Sequence, residues 1–308
     1  MTRPLRLGTR RSPLARAQAR AVADSLARVL DRPVALVDVT TQGDVDPAPL
    51  AAIGGTGVFV SALRDALLAG EVDLAVHSLK DLPTAAPAGL TLAAVPARAD
   101  ARDVLVGPSS MAELAPGSRI GTGSPRRAAV LSSWGLKPVA VRGNVDTRLS
   151  MVTDGRLDGV VLALAGLTRL GRADRTMAVL DPEVMVPAPG QGALAVEVRA
   201  DAPADVVSAV ATLDDPATRA AATAERAVLA HLEVGCSAPL GAFASSDGST
   251  LTMHARAWSA DGAVVVDARA SDAADQAEAI GRTVARTLLH RGAADLVPRP
   301  RTAKEIAL

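Results

Sequence analysis

Along the first two hundred residues, short runs of β-branched and aliphatic residues alternate with longer stretches in which apolar positions recur every three or four residues. The short runs predict strands and the longer stretches predict helices. Leu5 to Thr9, Val34 to Thr40, Asp73 to His77 and Leu90 to Val95 form one strand set, with helices expected from about Ser12 to Leu30 and from about Phe59 to Leu68. A second set comprises Arg119 to Thr122, Pro138 to Val141 and Gly159 to Ala163, with helices starting near Ser124 and Asn144. This alternation predicts open α/β layers with mostly parallel strands, the second set repeating the architecture of the first.

The chain leaves the first set through Pro96 to Asp103 and returns through Pro187-Ala188-Pro189-Gly190-Gln191-Gly192, after which Ala193 to Val198 reads as a strand rejoining the first module. Two crossings make a hinge. From Pro216 an alanine-rich helix runs to about Leu232. Strands Ala238 to Ala244, Thr250 to Trp258 and Ala263 to Ala268 follow, the last two joined by an Asp261-Gly262 turn signal, and then a helix to about His290. The expected organisation is a discontinuous α/β domain of residues 1–96 and 193–212, an α/β domain of 101–188 and a small α+β domain of 216–308.

At 308 residues and 49% hydrophobic, the chain suits two or three modules better than one core. Lys+Arg and Asp+Glu both total 33, and with two Phe, two Trp and no Tyr there is neither a basic excess nor a stacking platform for nucleic acid. The only lysines are Lys80, Lys137 and Lys304, so nearly all positive charge is arginine and a lysine at a strand end stands out. Met1 to Arg6 runs into the first strand without the apolar stretch of a signal peptide, which predicts a cytoplasmic protein. The longest apolar candidate for a membrane span, Gly159 to Leu167, is far short of the roughly 20 residues a helix needs. The single cysteine forbids an internal disulfide, and His77, His231, His254 and His290 lack ligand spacing, so no metal site is expected.

In open α/β sheets ligands settle beyond the carboxyl ends of strands, where helix N-termini offer free N–H groups. The polar residues of this chain fall there repeatedly. Arg10, Arg11 and Ser12 follow the first strand, Ser12-Pro13 reading as N-cap and first helical position. His77-Ser78-Leu79-Lys80-Asp81 follows the third, and Gly121-Thr122-Gly123-Ser124-Pro125-Arg126-Arg127 joins a strand of the second set to a helix with the same Ser-Pro start. Arg142-Gly143-Asn144 leads into a helix carrying Arg148, and Arg169 follows Leu162 to Gly166. Any one of these arginines read alone is a solvated or capping residue. Their repetition across two facing modules predicts a cleft for a ligand with several carboxylates, which guanidinium groups bind in a bidentate fork.

Other motifs fail. Gly54-Gly55-Thr56-Gly57 lacks the ending of a phosphate loop, and Gly121-Thr122-Gly123 lacks the third glycine of a dinucleotide fingerprint. Lys80 as a Schiff-base lysine is disfavoured by Asp81, which would hold it protonated, so a charge anchor is the better reading. Cys236 lies between Gly235 and Ser237 in a loop. A lone cysteine is more often a small buried hydrophobe than a nucleophile, but a loop site beside glycine in a cationic setting favours a usable thiolate.

These motifs, Leu7 to Ala15, Val76 to Pro83, Gly121 to Arg127, Arg142 to Arg148, Ala188 to Ala193 and Gly235-Cys236, resemble those of the porphobilinogen deaminase (hydroxymethylbilane synthase) family, in the same order and over most of the chain. The resemblance implies two periplasmic-binding-protein-like α/β domains with a hinge and a small α+β C-terminal domain. It implies a transferase of tetrapyrrole and haem biosynthesis that joins four porphobilinogen molecules on a covalent dipyrromethane cofactor. Cys236 then looks like the thioether attachment point and Asp81 like the catalytic carboxylate. Lys80, Ser78, Ser124, Arg126 and Arg127 look like cofactor-holding groups. Arg10, Ser12, Thr122, Arg142, Arg148, Arg169 and Phe59 look like substrate-binding ones. The expected partner is porphobilinogen, with no nucleic acid, membrane or metal, and the expected state is a monomer.

The chain departs from familiar members in the segment Ala51 to Ser61. Ala52, Thr56 and Ser61 stand where those carry lysines, and Phe59 is kept. A lid over residues 43–58 is still expected, without lysines to neutralise carboxylates. Val234 and Asp146 replace glycines of some relatives. The alternative from another class is a non-catalytic two-lobed binding or sensor protein for an organic polyacid. Cys236 and the Lys80-Asp81 pair argue against it.

Overall fold

The computed structural model describes residues 3–40, 60–85, 87–108, 110–174, 177–235 and 237–297. Its strands, in chain order, are β1 Leu5–Arg10, β2 Val34–Val39, β3 Leu74–Ser78, β4 Leu90–Ala94, β5 Asp103–Val106, β6 Arg119–Thr122 and β7 Lys137–Ala140. These are followed by β8 Gly159–Ala163, β9 Ala178–Val179, β10 Leu194–Arg199, β11 Leu240–Ser246, β12 Thr250–Trp258 and β13 Val265–Ala273.

The first sheet has the order β2-β1-β3-β10-β4. β1 runs parallel to β2, Leu5 opposite Val34, and parallel to β3, Leu7 opposite Leu74. β10, arriving from the second crossing, lies antiparallel between β3 and β4, with Val196 opposite Val76. Both faces are covered, which is why these strands are nearly continuous hydrophobic runs. On one face the helix Pro13–Leu30 buries Ala19, Val22, Ala23 and Leu26 against Leu5, Leu7, Leu74 and Val76. On the other the helix Ser61–Leu68 buries Leu63, Ala66 and Leu67 against Val72 and Ala75. Gly8 permits that second approach, since a Cβ there would sit 3.1 Å from Val72 Cγ2 and 3.2 Å from Leu63 Cδ2.

The second sheet, β7-β6-β8-β5-β9, repeats the plan. β6 is parallel to β7 and β8, and β5, the first strand after the outward crossing, takes the place that β10 takes in the first sheet. Two short strands, β5 and β9, were not legible in the pattern. The connector Pro96 to Asp103 ends inside β5, where Asp103 is fully buried. The helices Leu164–Arg169 and Ala204–Ala211 were likewise not anticipated.

β11, β12 and β13 form an antiparallel meander whose core is shared with the helices Pro216–Leu232 and Ala277–His290. β11 begins two residues later than expected, at Leu240, and β13 runs on from Val265 to Ala273. Contacts divide the chain into two compact units. One is Met1–Ala101, Ala163–Ala173 and Gly190–Arg219, and the other is Arg102–Leu162, Asp174–Pro189 and Ala220–Leu308. The C-terminal meander thus packs in one unit with the second sheet. Two glycines allow the approach: Cβ atoms at Gly241 and Gly262 would lie 2.5 Å from Val186 O and 2.0 Å from Ala129 O. Residues 163–173, expected in the 101–188 domain, pack with the first unit, where Gly166 faces Leu14.

Candidate functional site

In the first unit the chain turns at the carboxyl ends of β1 and β3. Ser12 caps the helix Pro13–Leu30, its hydroxyl accepting from Ala15 N at 3.3 Å, with Pro13 supplying the fixed first turn. That bond uses the oxygen and leaves the hydroxyl proton available for a ligand. Half-buried Arg10 immediately precedes this turn. β3 ends at Ser78 and tightens into a 3₁₀ turn, Leu79–Asp81. Ser78 Oγ lies 3.0 Å from Gln18 Nε2 and 3.2 Å from Gln18 Oε1. Gln18 is a buried polar residue that the sequence reading passed over. Its only signal was a glutamine on the apolar stripe of a helix.

Lys80 Nζ donates to Gln191 Oε1 at 3.3 Å. The neighbouring Asp81 is half-buried, and its carboxylate makes no hydrogen bond or ion pair with any described residue. Asp81 therefore makes no ion pair with the adjacent Lys80. Arg169, at the end of the helix Leu164–Arg169, donates from Nη2 to Gly192 O at 2.6 Å, and burial pushes its guanidinium below the ordinary arginine value. Beneath the strand end, Glu197 receives Arg64 Nη2 at 2.7 Å and lies 3.2 Å from His77 Nε2. Burial would raise its carboxyl, but the adjacent His77 and the two bonds from Arg64 prevail and hold it at about 2.

In the second unit β6 ends at Thr122, whose hydroxyl accepts from Ser124 N at 3.1 Å. Ser124 in turn caps the helix Pro125–Ser133 by accepting from Arg127 N. Arg126 and Arg127 leave the first turn of that helix and enter the protein. Arg126, 2% exposed, donates from Nη2 to Asp103 Oδ2 at 2.7 Å and from Nη1 to Val186 O at 2.7 Å. Arg127 donates from Nη2 to Asp103 Oδ1 at 2.8 Å and from Nη1 to Val161 O at 3.0 Å. Full burial disfavours the Asp103 charge, yet the two guanidinium groups outweigh it and hold the carboxyl far below the usual range.

After β7, half-buried Arg142 leads to Asn144, the N-cap of the helix Val145–Thr153, which carries Arg148. Arg148 donates from Nε to Gly143 O at 3.0 Å and makes no ion pair with any described residue. Its guanidinium is lowered by burial and then by the charges of Arg127 and Arg142. Arg148 thus stands within the like charges of Arg127 and Arg142, with the buried Asp103 bonded to Arg127.

Cys236, Phe59 and the lid of residues 43–58 lie outside the described residues. No helix among the described residues is long and apolar enough to cross a membrane. One unit holds Arg10, Ser12, Ser78, Lys80, Asp81 and Arg169, and the other Thr122, Ser124, Arg126, Arg127, Arg142 and Arg148, at strand ends and on the helices that follow them.

Comparison with known proteins gives two family models that match in succession. Residues 5–205 match the porphobilinogen deaminase dipyrromethane cofactor-binding domain, and residues 219–290 match the porphobilinogen deaminase C-terminal domain. Porphobilinogen deaminase 1 of Streptomyces avermitilis is 53% identical over 95% of this chain and 97% of its own. Porphobilinogen deaminases of Leifsonia xyli and Thermobifida fusca are 51% and 49% identical over 96% of this chain, and over 94% and 96% of their own. Among solved structures, an ancestral cationic amino acid solute-binding protein overlaps 68% of this chain and 87% of its own at 16% identity and a TM-score of 0.45.

Proposed function

The chain belongs to the porphobilinogen deaminase family, and from that membership we propose which of its residues hold the dipyrromethane cofactor and carry the reaction. The family makes it a transferase, hydroxymethylbilane synthase, acting on porphobilinogen in tetrapyrrole biosynthesis, and removes the alternative of a non-catalytic polyacid binder. Each cycle breaks the aminomethyl C–N bond of porphobilinogen with loss of ammonia, forms a C–C bond between pyrroles and releases the displaced ring proton. After four cycles water frees hydroxymethylbilane.

The residues fit a group bearing several acetates and propionates. Arg148, close to the like charges of Arg127 and Arg142, suits an anion with several negative groups, and Ser12, Thr122 and Ser124 each accept a backbone N–H and keep a hydroxyl proton to donate. When bound, dipyrromethane supplies the free pyrrole carbon on which the chain grows. We assign its attachment to the thiolate of Cys236, the only cysteine. Lys80, Ser78, Ser124 and Arg127 hold its carboxylates, while Arg126, spent on Asp103 and Val186, serves that site from inside. Arg10, Ser12, Thr122, Arg142, Arg148 and Arg169, with Phe59, bind incoming substrate.

Asp81 accepts a hydrogen bond from a pyrrole N–H and stabilises positive charge as ammonia departs. The observation that carries this reading is its half-buried carboxylate at a strand end, unspent on any described residue. We take the enzyme as a cytoplasmic monomer, in keeping with a reaction on one diffusible small molecule.

Intact mass tests the assignment. Purified protein should exceed the sequence mass by one dipyrromethane, and Cys236→Ala should return to the apo mass without turnover. An active protein of unmodified mass overturns it.

A further inference from the structure

Gln191 stands between two residues whose backbone suits glycine. Gly190 and Gly192 have φ of 74° and 87°, and a Cβ on Gly192 would lie 2.4 Å from Ala99 O. A Cβ on Gly190 would approach Lys80 N to 3.2 Å, so this segment lies directly against the turn that carries Lys80 and Asp81. Leu79 N donates to Ala193 O at 3.0 Å and fastens the two together.

The Gln191 side chain is 1% exposed, a setting in which an amide is costly unless both its ends are bonded. Its Nε2 donates to Ala101 O at 2.7 Å, and its backbone oxygen accepts from Arg98 Nε at 2.8 Å. Because the amide nitrogen must face a carbonyl, the amide oxygen must face the other way, where Lys80 Nζ donates to it at 3.3 Å. A glutamate would fit the same space, but its charge would compete with any anionic ligand for the ammonium. A neutral oxygen orients Lys80 without offsetting its charge.

We infer that Gln191 is a positioning residue that holds the Lys80 ammonium in register for a carboxylate of the dipyrromethane cofactor. The inference rests on the reading of Lys80 as a cofactor-holding group. A lysine on its flexible four-carbon stem samples many positions, and fixing the ammonium in advance removes that cost from binding.

The test loads apo-protein with porphobilinogen and follows the cofactor-bearing mass with time, in wild type, Gln191→Leu, Gln191→Glu, Lys80→Met and the Lys80→Met/Gln191→Leu double variant. Melting temperatures of the apo-proteins are measured alongside. Loss of a charge-assisted hydrogen bond is expected to slow loading roughly tenfold or more in Gln191→Leu. Gln191→Glu keeps the size but sets a carboxylate oxygen against Ala101 O, so it should melt below wild type and load at least as slowly. The double variant should be no slower than Lys80→Met, since Gln191 acts through Lys80. Losses that add in the double variant assign Gln191 to fold maintenance and overturn the inference. Wild-type loading in Lys80→Met overturns the reading of Lys80 and the inference with it. Slow loading in Lys80→Met with normal loading in Gln191→Leu overturns the inference alone.

Discussion

Arg126 and Asp103 form an ion pair wholly inside the second unit, Nη2 to Oδ2 at 2.7 Å, with side chains 2% and 0% exposed. The same carboxylate bonds Arg127 through its other oxygen. A buried carboxylate bonded to two guanidinium groups ties β5 to the helix Pro125–Ser133, so the two adjacent arginines of one motif have unequal tasks. Arg126 holds the carboxylate in place. Arg127 shares it and also stands among the cations of Arg142 and Arg148.

Removing one partner of a buried pair leaves an uncompensated charge, which costs about 3–5 kcal/mol. Asp103→Asn, which leaves two buried guanidinium groups without their carboxylate, is therefore expected to lower unfolding stability by that order, measured by urea denaturation of the apo-protein, and Arg126→Leu, after which Arg127 still pairs with Asp103, by less. Because the Asp103 carboxyl is held far below the ordinary range in the folded chain, its contribution is complete above the usual aspartate value and is lost as pH falls below it. A stable Arg126→Leu protein that fails only in cofactor loading would show that Arg126 faces the ligand instead.

Arg148 carries the opposite sign. It has no anionic partner among the described residues and is repelled by Arg127 and Arg142. Arg148→Met should leave the melting temperature of the apo-protein within a few degrees of wild type, since relief of repulsion offsets a lost hydrogen bond of about 1 kcal/mol. Substrate use should fall roughly tenfold or more. A large stability loss with normal turnover would make Arg148 a structural residue.

Glu197 gives a pH dependence. Its folded value of about 2 lies below the ordinary 4.5, where burial alone would have raised it, because the adjacent His77 and the bonds from Arg64 favour the charged form. The resulting stability, on the order of 3 kcal/mol, is present above about pH 4.5 and disappears as pH falls through about 2. Urea unfolding of wild type and Glu197→Gln should differ most near neutral pH, and the gap should close across that acid range. A gap independent of pH would assign the loss to packing.

Asp81→Asn keeps the shape and a hydrogen-bonding oxygen but removes the charge. Ammonia release in a single turnover should slow on the order of 10²–10³-fold. The melting temperature should hardly move, since Asp81 bonds no described residue. Asp81→Glu keeps the charge about one methylene away and should retain part of the rate, because ~1 Å of misplacement can cost about 10²-fold. An unchanged chemical step in Asp81→Asn would end the catalytic assignment.

The sequence by itself determined the repeated α/β plan, the helix starts at Ser12, Ser124 and Asn144, and the gathering of charged residues at strand ends. Each rests on neighbours in sequence: apolar period, N-cap chemistry and proline placement act within a few residues, so they are legible without coordinates. It missed β5 and β9, which are four and two residues long and owe their existence to ladders with distant strands. It could not separate Arg126 from Arg127, adjacent and identical in type. Asp103 binds both, and the difference is made by the carbonyl each reaches, Val186 O, 60 residues after Arg126, and Val161 O, 34 residues after Arg127. Nor could it give Lys80 to Gln191 rather than to its neighbour Asp81, because only the second crossing of the chain carries Gln191 back against that turn. Tertiary structure decided what each charge touches, since pairing energy depends on distance and burial and neither is written in the spacing of residues along the chain.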